Sequence, residues 1–306
     1  MIKKEVIDIV ANKTKIIQRD LIEKDIILHR ILMELSSQKY FLNNYAFKGG
    51  TCLLKCYLHY YRFSEDLDFT YINQKEFEGK SEKQIRKTLS EKISLILGLL
   101  EDLSVKLAFN FKAVKGDRKY TELGGSNKQA TFKLWYIPEG SSQETFIKIQ
   151  INFLEKINYP IIKREAGNVF FGKFQDFESA FLLPEDSKWM LKVPELKCYD
   201  LREILIEKVR AVLTRKGIKM RDYIDIYMIE KKERLYAGNF KAQIIDKINA
   251  VIKFEKYQTN INTKTIEGVT FDPSKELAIL LVEIPEDFNA FFTRFNSFCE
   301  QLMKEF

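Results

Sequence analysis

Apolar positions recur with two different periods along this chain, and the change falls near Cys198. Before it, short alternating or apolar runs are set among stretches with a period near 3.6 residues, which predicts strands and helices in one mixed arrangement. After it, the helical period continues through the rest of the sequence. We therefore expect an α+β domain with a mixed sheet over residues 1–198, followed by a helical domain over residues 199–306.

The same pattern assigns individual elements. Helices are predicted at 20–37, 52–61, 82–101, 200–215 and 221–229, with further amphipathic stretches at 240–254, 275–281 and 286–303. Strands are predicted at 45–47, 66–69, 105–114, 130–136 and 145–154. The Phe- and Pro-rich segment 159–194 has no clear period, which predicts irregular strands and loops.

A glycine pair follows the first short strand. Gly49 and Gly50 permit a tight turn with close backbone approach, and Thr51 is placed to cap the apolar helix that comes next. The unpaired N–H groups and the positive end of the helix dipole point the same way at such a start. This arrangement favours an anion, so the turn predicts a phosphate-binding site.

Two carboxylates follow one helix later. In strand periodicity Leu67 and Phe69 point to one face, whereas Asp66 and Asp68 share the other. The two carboxylates repel each other unless a cation neutralises them, and Mg²⁺ prefers carboxylate oxygens completed by phosphates and water. An acidic surface strand would explain the aspartates alone, but the preceding glycine turn favours a site for a metal and a nucleotide.

Charged residues also interrupt the apolar stripe of the helix at 200–215. Asp200 is expected to cap it, with Glu203 three residues later in a variant of the capping box, and Lys208 falls inside its stripe. The next helix places Asp222 and Asp225 among apolar positions in the same way. One interpretation is a structural ion pair between packed helices. The other has Lys208 reaching a triphosphate, with Asp222 holding Lys208 or acting as a base.

Composition limits the remaining possibilities. With 306 residues, of which 45% are apolar, the chain has enough material for one large or two medium domains. No stretch reaches the about 18 uninterrupted apolar residues of a membrane span, and the charged start lacks a signal-peptide core. We therefore expect a cytoplasmic protein that does not enter a membrane.

Cysteine and histidine usage argues against several kinds of site. The only histidines are His29 and His59, each within an apolar helical segment, so Ser-His-Asp or Cys-His nucleophiles are not expected. The cysteines are scattered, and we expect neither a disulfide nor a zinc site. They are Cys52, Cys56, Cys198 and Cys299.

The formal net charge of +7 is moderate, but basic residues gather around the loop at 124–127. The group contains Lys112, Lys115, Arg118, Lys119, Lys128 and Lys133. One interpretation is a solvated hairpin whose edge lysines discourage aggregation. The other is contact with an RNA backbone, for which we select Lys115, Arg118, Lys119 and Lys128.

Several of these motifs together resemble the AbiEii/AbiGii-type nucleotidyltransferase toxins of bacterial abortive infection and type IV toxin–antitoxin systems. The resemblance covers about residues 20–227. The shared motifs are Glu23-Lys-Asp25, Phe47-Lys-Gly-Gly-Thr51, Arg62-Phe-Ser-Glu-Asp-Leu-Asp68, Glu207-Lys208, Arg221-Asp222 and Asp225. Two departures are visible. Fourteen residues separate Thr51 from Asp66, a longer gap than in the simplest nucleotidyltransferases, and the strand at 145–154 offers Gln150 and Asn152 where many relatives carry a third carboxylate.

The resemblance implies a polymerase-beta-like nucleotidyltransferase core whose site the helical domain completes. Asp66 and Asp68 are then metal ligands for Mg²⁺ or Mn²⁺, and Lys208 and Asp222 complete the catalytic set. The expected nucleotide contacts are Lys48, Gly49, Gly50, Thr51, Arg62, Ser64 and Arg215.

The implied reaction moves a nucleoside monophosphate from an NTP to RNA, with a tRNA acceptor end as the expected acceptor, and releases pyrophosphate. The implied consequence is inhibited translation and growth in phage defence, controlled by a cognate antitoxin protein. Three alternatives remain open: a small-molecule nucleotidyltransferase similar to the aminoglycoside-modifying enzymes, a transferase that modifies protein hydroxyls, and a nucleotide-binding regulator without turnover.

Overall fold

The structure, a computed structural model, describes residues 2–125, 127–171, 183–264, 266 and 277–306. It divides into two compact units. The first contains Met1–Glu155 and Ile161–Cys198, and the second contains Lys156–Pro160 and Tyr199–Phe306. The two domains expected from the sequence stay a prediction, and the assignment of Lys156–Pro160 to the second unit was not expected.

The first unit contains both helices and strands. Its helices are α1 (Lys4–Thr14), α2 (Arg19–Ser37), α3 (Lys39–Asn44), α4 (Gly49–Leu53) and α5 (Glu82–Leu107). A π-helical segment, Leu54–Leu58, continues α4, and 3-10 turns occur at Gln74–Phe77 and Glu185–Leu191. Its strands are β1 (Tyr45–Lys48), β2 (Asp66–Tyr71), β3 (Thr121–Gly124), β4 (Gln129–Tyr136), β5 (Thr145–Asn152), β6 (Ile162–Glu165) and β7 (Glu195–Cys198).

The strands form one seven-stranded sheet in the order β3-β4-β5-β2-β1-β7-β6. β2 runs parallel to β5, and β1 runs parallel to β7, whereas the other neighbours are antiparallel. Alternation sets the buried face: Ala130, Phe132 and Leu134 of β4 are buried, while the residues between them are half-buried. The predicted α+β class with a mixed sheet is confirmed, and the polymerase-beta-like core stays a prediction.

One predicted strand, at 105–114, is wrong. α5 continues to Leu107, because Leu103, three residues after Leu100, extends its buried stripe beyond the predicted end, and Val105 stands on the exposed side. Ala108 then ends the helix in the left-handed region, with φ +59°. The segment that follows is irregular and joins the sheet through a single bridge from Asn110 to Trp135.

The helix after the glycine pair also begins earlier than expected. It starts at Gly49, so Lys48 occupies the N-cap position without a side-chain cap, and Thr51 lies within the first turn. The prediction that Thr51 caps this helix is therefore wrong. The helical run ends at Leu58, three residues before the predicted end.

The described part of the second unit contains helices and turns. They are α6 (Leu201–Thr214), α7 (Met220–Glu233), α8 (Lys241–Ile252), α9 (Glu255–Asn262) and α10 (Phe288–Met303), with 3-10 turns at Ala237–Phe240 and Leu277–Ile279. Residues 275 and 276 of the predicted stretch 275–281 lie outside the described residues, and the remainder contains the 3-10 turn Leu277–Ile279. Part of segment 159–194 also lies outside the described residues. No helix that the structure describes combines the length and the apolar character needed to cross a bilayer.

Asp200 caps α6 as expected, since its carboxylate accepts a hydrogen bond from the Arg202 backbone N–H at 2.9 Å. The predicted capping-box role of Glu203 is wrong. Glu203 is fully buried and pairs with Lys247 of α8 instead. A buried ammonium within reach outcompetes a single backbone N–H for this carboxylate, because both charges would otherwise be unpaired.

The same carboxylate explains why Lys156–Pro160 belongs to the second unit. Glu203 Oε2 accepts hydrogen bonds from the backbone N–H groups of Asn158 (2.8 Å) and Tyr159 (2.9 Å). Lys247 Nζ donates to the Lys156 carbonyl oxygen at 2.8 Å. One buried ion pair thus provides hydrogen-bond partners for three backbone groups of this segment, two N–H groups and one carbonyl oxygen, which do not belong to a helix or a strand.

Candidate active site

The glycine turn after β1 is packed too tightly for side chains. Gly49 has φ +76°, and a Cβ built on it would lie 2.5 Å from Asp68 Oδ2 and 3.1 Å from Asp68 Cβ. A Cβ on Gly50 would lie 2.7 Å from Arg62 Nη2 and 3.4 Å from Ser64 Oγ. A side chain at Gly49 would be strained and would displace Asp68, and one at Gly50 would displace the end of Arg62. The turn thus brings bare backbone against a carboxylate on one side and a guanidinium on the other.

Asp66 and Asp68 share one face of β2, as alternation predicts. Leu67 and Phe69 between and after them are buried, whereas both aspartates are half-buried. Lys148, the neighbour of Asp66 on β5, forms an ion pair with it at 2.9 Å. This single lysine offsets part of the charge that two adjacent carboxylates concentrate on the strand.

Thr51 links the helix to the start of β2. Its hydroxyl is buried, lies 2.8 Å from Ser64 Oγ, and also donates to the Asp66 carbonyl oxygen. The hydrogen bonds hold the backbone of Asp66 against the first helical turn. Thr51 and Ser64 thus position the carboxylate strand, and their predicted contacts with a nucleotide stay predictions.

Lys48 and Arg62, the two cations predicted to bind nucleotide in this unit, are both buried. Arg62 donates from Nη1 to the Phe63 carbonyl oxygen at 2.6 Å. Lys48 lies opposite Asp68 on β1 and pairs with Glu155 at 2.6 Å. Their burial places positive charge beneath the glycine turn and the aspartate face, and it limits how far either side chain can reach.

Glu155 is a carboxylate that the sequence analysis missed. On β5, Gln150 lies beside Asp68. Glu155 follows that strand, and its Oε2 accepts a hydrogen bond from Thr70 Oγ1 at 2.8 Å. Thr70 lies on the same face of β2 as Asp66 and Asp68, so the carboxylate of Glu155 lies at the end of the row of side chains on that face. The sequence feature that could have identified Glu155 is its position as the first acidic residue after β5.

In the second unit, Lys208 lies between two buried aspartates. Its Nζ is 2.9 Å from Asp222 Oδ1 and 2.6 Å from Asp225 Oδ2, which places the three charges together as the helix period predicts. Arg215 also pairs with Asp222. Burial opposes ionisation of Asp222, but Lys208 and Arg215 hold the pKa of this carboxyl below its ordinary value.

Two further residues of the predicted motifs, Glu23 and Asp25, are structural anchors. Asp25 accepts from Lys55 Nζ (2.6 Å), the Tyr60 hydroxyl (2.6 Å) and the Val169 backbone N–H (3.0 Å). Glu23 accepts from a backbone N–H, and burial raises its pKa. Asp25 and Lys55 form a buried ion pair whose remaining acceptor and donor sites are used, which favours a fixed position.

The predicted RNA-contacting lysines mostly have polar partners of their own. Arg118 belongs to the same segment, and its predicted RNA contact stays untested. The observed contacts are Lys115 Nζ to the Ser90 carbonyl oxygen (2.7 Å), Lys119 to Glu144 (3.2 Å) and Lys128 to Glu82 (3.5 Å). Acidic neighbours lower the net positive potential of this surface, so an RNA contact here would require exchange of ion pairs.

The chain belongs to the AbiEii nucleotidyl transferase toxin family of type IV toxin–antitoxin systems. The family model matches residues 30–301, which include the glycine turn, the aspartate pair and the Lys208 cluster. The family resemblance drawn from the sequence motifs is thereby confirmed.

Two crystal structures from Helicobacter pylori are similar to the chain at 14% identity and a TM-score of 0.39. One is JHP933, with 92% of each chain covered, and the other is a protein provisionally assigned as a nucleotidyltransferase, with 91% of this chain and 95% of that chain covered. Structural similarity at this TM-score gives no information about the residues of the site. No curated protein matches the chain significantly.

Proposed function

We propose that this toxin-family protein transfers a nucleoside monophosphate from an NTP to an RNA acceptor, the 3' end of tRNA, and so inhibits translation and growth. The observation that carries the proposal is the contact between the Gly49 backbone and the Asp68 carboxylate. A turn that accepts no side chain is pressed against a carboxylate pair, which suits a phosphate chain held beside metal ligands.

Asp66 and Asp68 fit Mg²⁺ because their donor atoms are carboxylate oxygens and Glu155 adds a third carboxylate at the end of the row. When bound, Mg²⁺ or Mn²⁺ would act as a Lewis acid that neutralises phosphate charge and stabilises the pyrophosphate as it leaves. Gly49 and Gly50 would let the backbone approach the phosphates, and buried Arg62 would favour their negative charge. Lys208 and Asp222 are assigned to the same reaction by the family motif.

The acceptor and the partner rest on the family and on charge. A toxin of a type IV toxin–antitoxin family implies an antitoxin partner. The formal charge of +7 favours a polyanionic acceptor over the cationic drugs that small-molecule nucleotidyltransferases modify. Inhibition of translation and a role in phage defence follow if that acceptor is the amino-acid-accepting end of tRNA.

The direct test incubates the purified chain with each α-labelled NTP, Mg²⁺ and a mixture of total RNA and cell protein, and then identifies the labelled species. We expect label in the tRNA fraction, and its loss by orders of magnitude in Asp68→Asn, which keeps the side-chain shape but removes a metal-binding charge. Asp102→Asn, on an exposed position of α5, is the matched control and should label normally.

Other outcomes of the labelling experiment would indicate a different acceptor or a different function. Label in protein or in small molecules would replace the RNA acceptor with one of the alternatives considered above. NTP binding without any labelled product would indicate a regulator. Normal labelling by Asp68→Asn would remove the aspartate pair from the reaction.

A further inference from the structure

Two cysteines that are close in sequence meet a third from a distant strand in the first unit. Cys52 lies in α4, Cys56 lies in the π-helical segment, and Cys198 is the last residue of β7. Their sulfur atoms all lie within 4.8 Å of one another, and Cys56 Sγ is 3.8 Å from Cys198 Sγ. All three are free thiols. The fold assembles them because Phe47, two residues before the glycine turn, pairs with Cys198 in the parallel β1–β7 ladder.

The spacing of the sulfur atoms matches metal coordination. A tetrahedral zinc site with Zn–S bonds of about 2.3 Å has sulfur atoms about 3.8 Å apart. The Cys56–Cys198 separation already has this value, and the remaining separations need to shorten by about 1 Å at most. Among the described residues, no histidine or carboxylate joins the group, so the donor set is sulfur only. Thiolate donors select soft metals such as zinc and monovalent copper over Mg²⁺.

The three thiols differ in their electrostatic surroundings, and two basic side chains lie near Cys56. Hydrogen bonds from Cys198 and Cys52 lower the pKa of the Cys56 thiol, and the nearby charges of Lys55 and Arg164 lower it further. Burial raises the pKa of Cys52. A cation that binds here displaces the thiol protons, as metal binding to cysteine requires.

We propose that Cys52, Cys56 and Cys198 form a binding site for a thiophilic d10 cation, Zn²⁺ or Cu⁺. Three protein sulfurs hold the cation, and a zinc ion would keep a fourth position for solvent. The site ties the helical run that begins at the glycine turn to β7. It is separate from the oxygen donors of Asp66 and Asp68, and it stands whether or not the chain transfers nucleotides.

The test uses the full-length protein, reduced and stripped of metal with a chelator. In the zinc arm, Co²⁺ is the probe, since thiolate ligation gives a near-ultraviolet charge-transfer band that carboxylate ligation lacks. We expect this band to saturate at about one equivalent and to disappear when Zn²⁺ displaces the cobalt. In the copper arm, Cu⁺ is titrated anaerobically against a chromophoric chelator. The cation whose binding also raises the melting temperature identifies the preferred ligand.

Matched variants locate the binding. Cys56→Ala, at the most exposed of the three positions, should weaken binding by more than the about 10–100-fold that outer-shell partners cost. Cys198→Ala should behave alike, which guards against a folding defect in one variant. Cys299→Ala, at a buried thiol of α10, should bind as the wild type does, and so should Asp68→Asn. Absence of the band and of copper retention in the wild type would overturn the proposal, and so would unchanged binding in both cluster variants.

Discussion

Replacing Gly49 by alanine should separate backbone strain from interference with the carboxylate pair. Gly49 and Gly79 both have positive φ, +76° and +70° respectively. An alanine at either position pays about 1–2 kcal/mol for the left-handed backbone. At Gly79 nothing lies within 4 Å of the new Cβ, whereas at Gly49 the Cβ meets Asp68 Oδ2 at 2.5 Å. Gly79→Ala is therefore a matched control for strain alone.

The size of the effect follows from this contact. Ordinary van der Waals contact begins at 3.4 Å, so the Asp68 carboxylate must retreat by about 0.9 Å. A misplacement of about 1 Å at a reacting centre can cost about 10²-fold in rate. For a domain of 150–250 residues, the shared backbone strain should lower the melting temperature of each variant by about 2–8 °C.

The assay measures the initial rate of label transfer at saturating NTP over a range of Mg²⁺ concentrations. We expect Gly79→Ala to keep nearly the wild-type rate. Gly49→Ala should lose about 10²-fold and require more Mg²⁺, because the displaced carboxylate holds the cation less well. Equal rates for the two alanine variants, each shown to be folded, would refute the link between the turn and Asp68.

Three further changes test the buried charges. Lys55→Met strands Asp25 in the core and should cost about 3–5 kcal/mol of unfolding free energy, measured by denaturant titration. Burial and the charge of Lys55 lower the pKa of His29 to about 4 from its ordinary 6.5. Between these values the unfolded chain binds a proton that the folded chain does not, so stability should fall as pH falls, by up to about 1.4 kcal/mol per pH unit. His29→Gln should flatten that slope. Lys208→Met should also cost about 3–5 kcal/mol, Asp222→Asn should restore part of it, and NTP binding should stay lost in the double variant.

Each of these changes has a control or a contradicting result. Lys163→Met breaks an exposed pair with Glu195 and should cost less than about 1 kcal/mol, so a similar loss for Lys55→Met would contradict the structural role of that pair. An unchanged pH slope in folded His29→Gln would contradict the contribution assigned to that buried imidazole. Normal NTP affinity in the double variant at Lys208 and Asp222 would reduce that cluster to an ion pair between helices.

Features set by neighbours in sequence were predictable, whereas those set by distant partners were not. The alternation around Leu67 placed Asp66 and Asp68 on one face, and Asp200 capped its helix, because both rules act within a few residues. The same local rule failed for Glu203, since a buried lysine from another helix took its carboxylate. Glu155 and Cys198 reach their clusters only through the sheet order, which no local pattern contains.

The assignment of Lys156–Pro160 to the second unit has a consequence for how this protein can be divided or exchanged. The polypeptide passes between the units after Glu155, again after Pro160 and once more after Cys198. A fragment that ends at Cys198 would keep Lys156–Pro160 but lose Glu203 and Lys247, the groups that satisfy its backbone. A single truncation therefore cannot separate the complete helical unit from the first unit. Recombination between relatives would preserve both units only if it carried two separate stretches of coding sequence together.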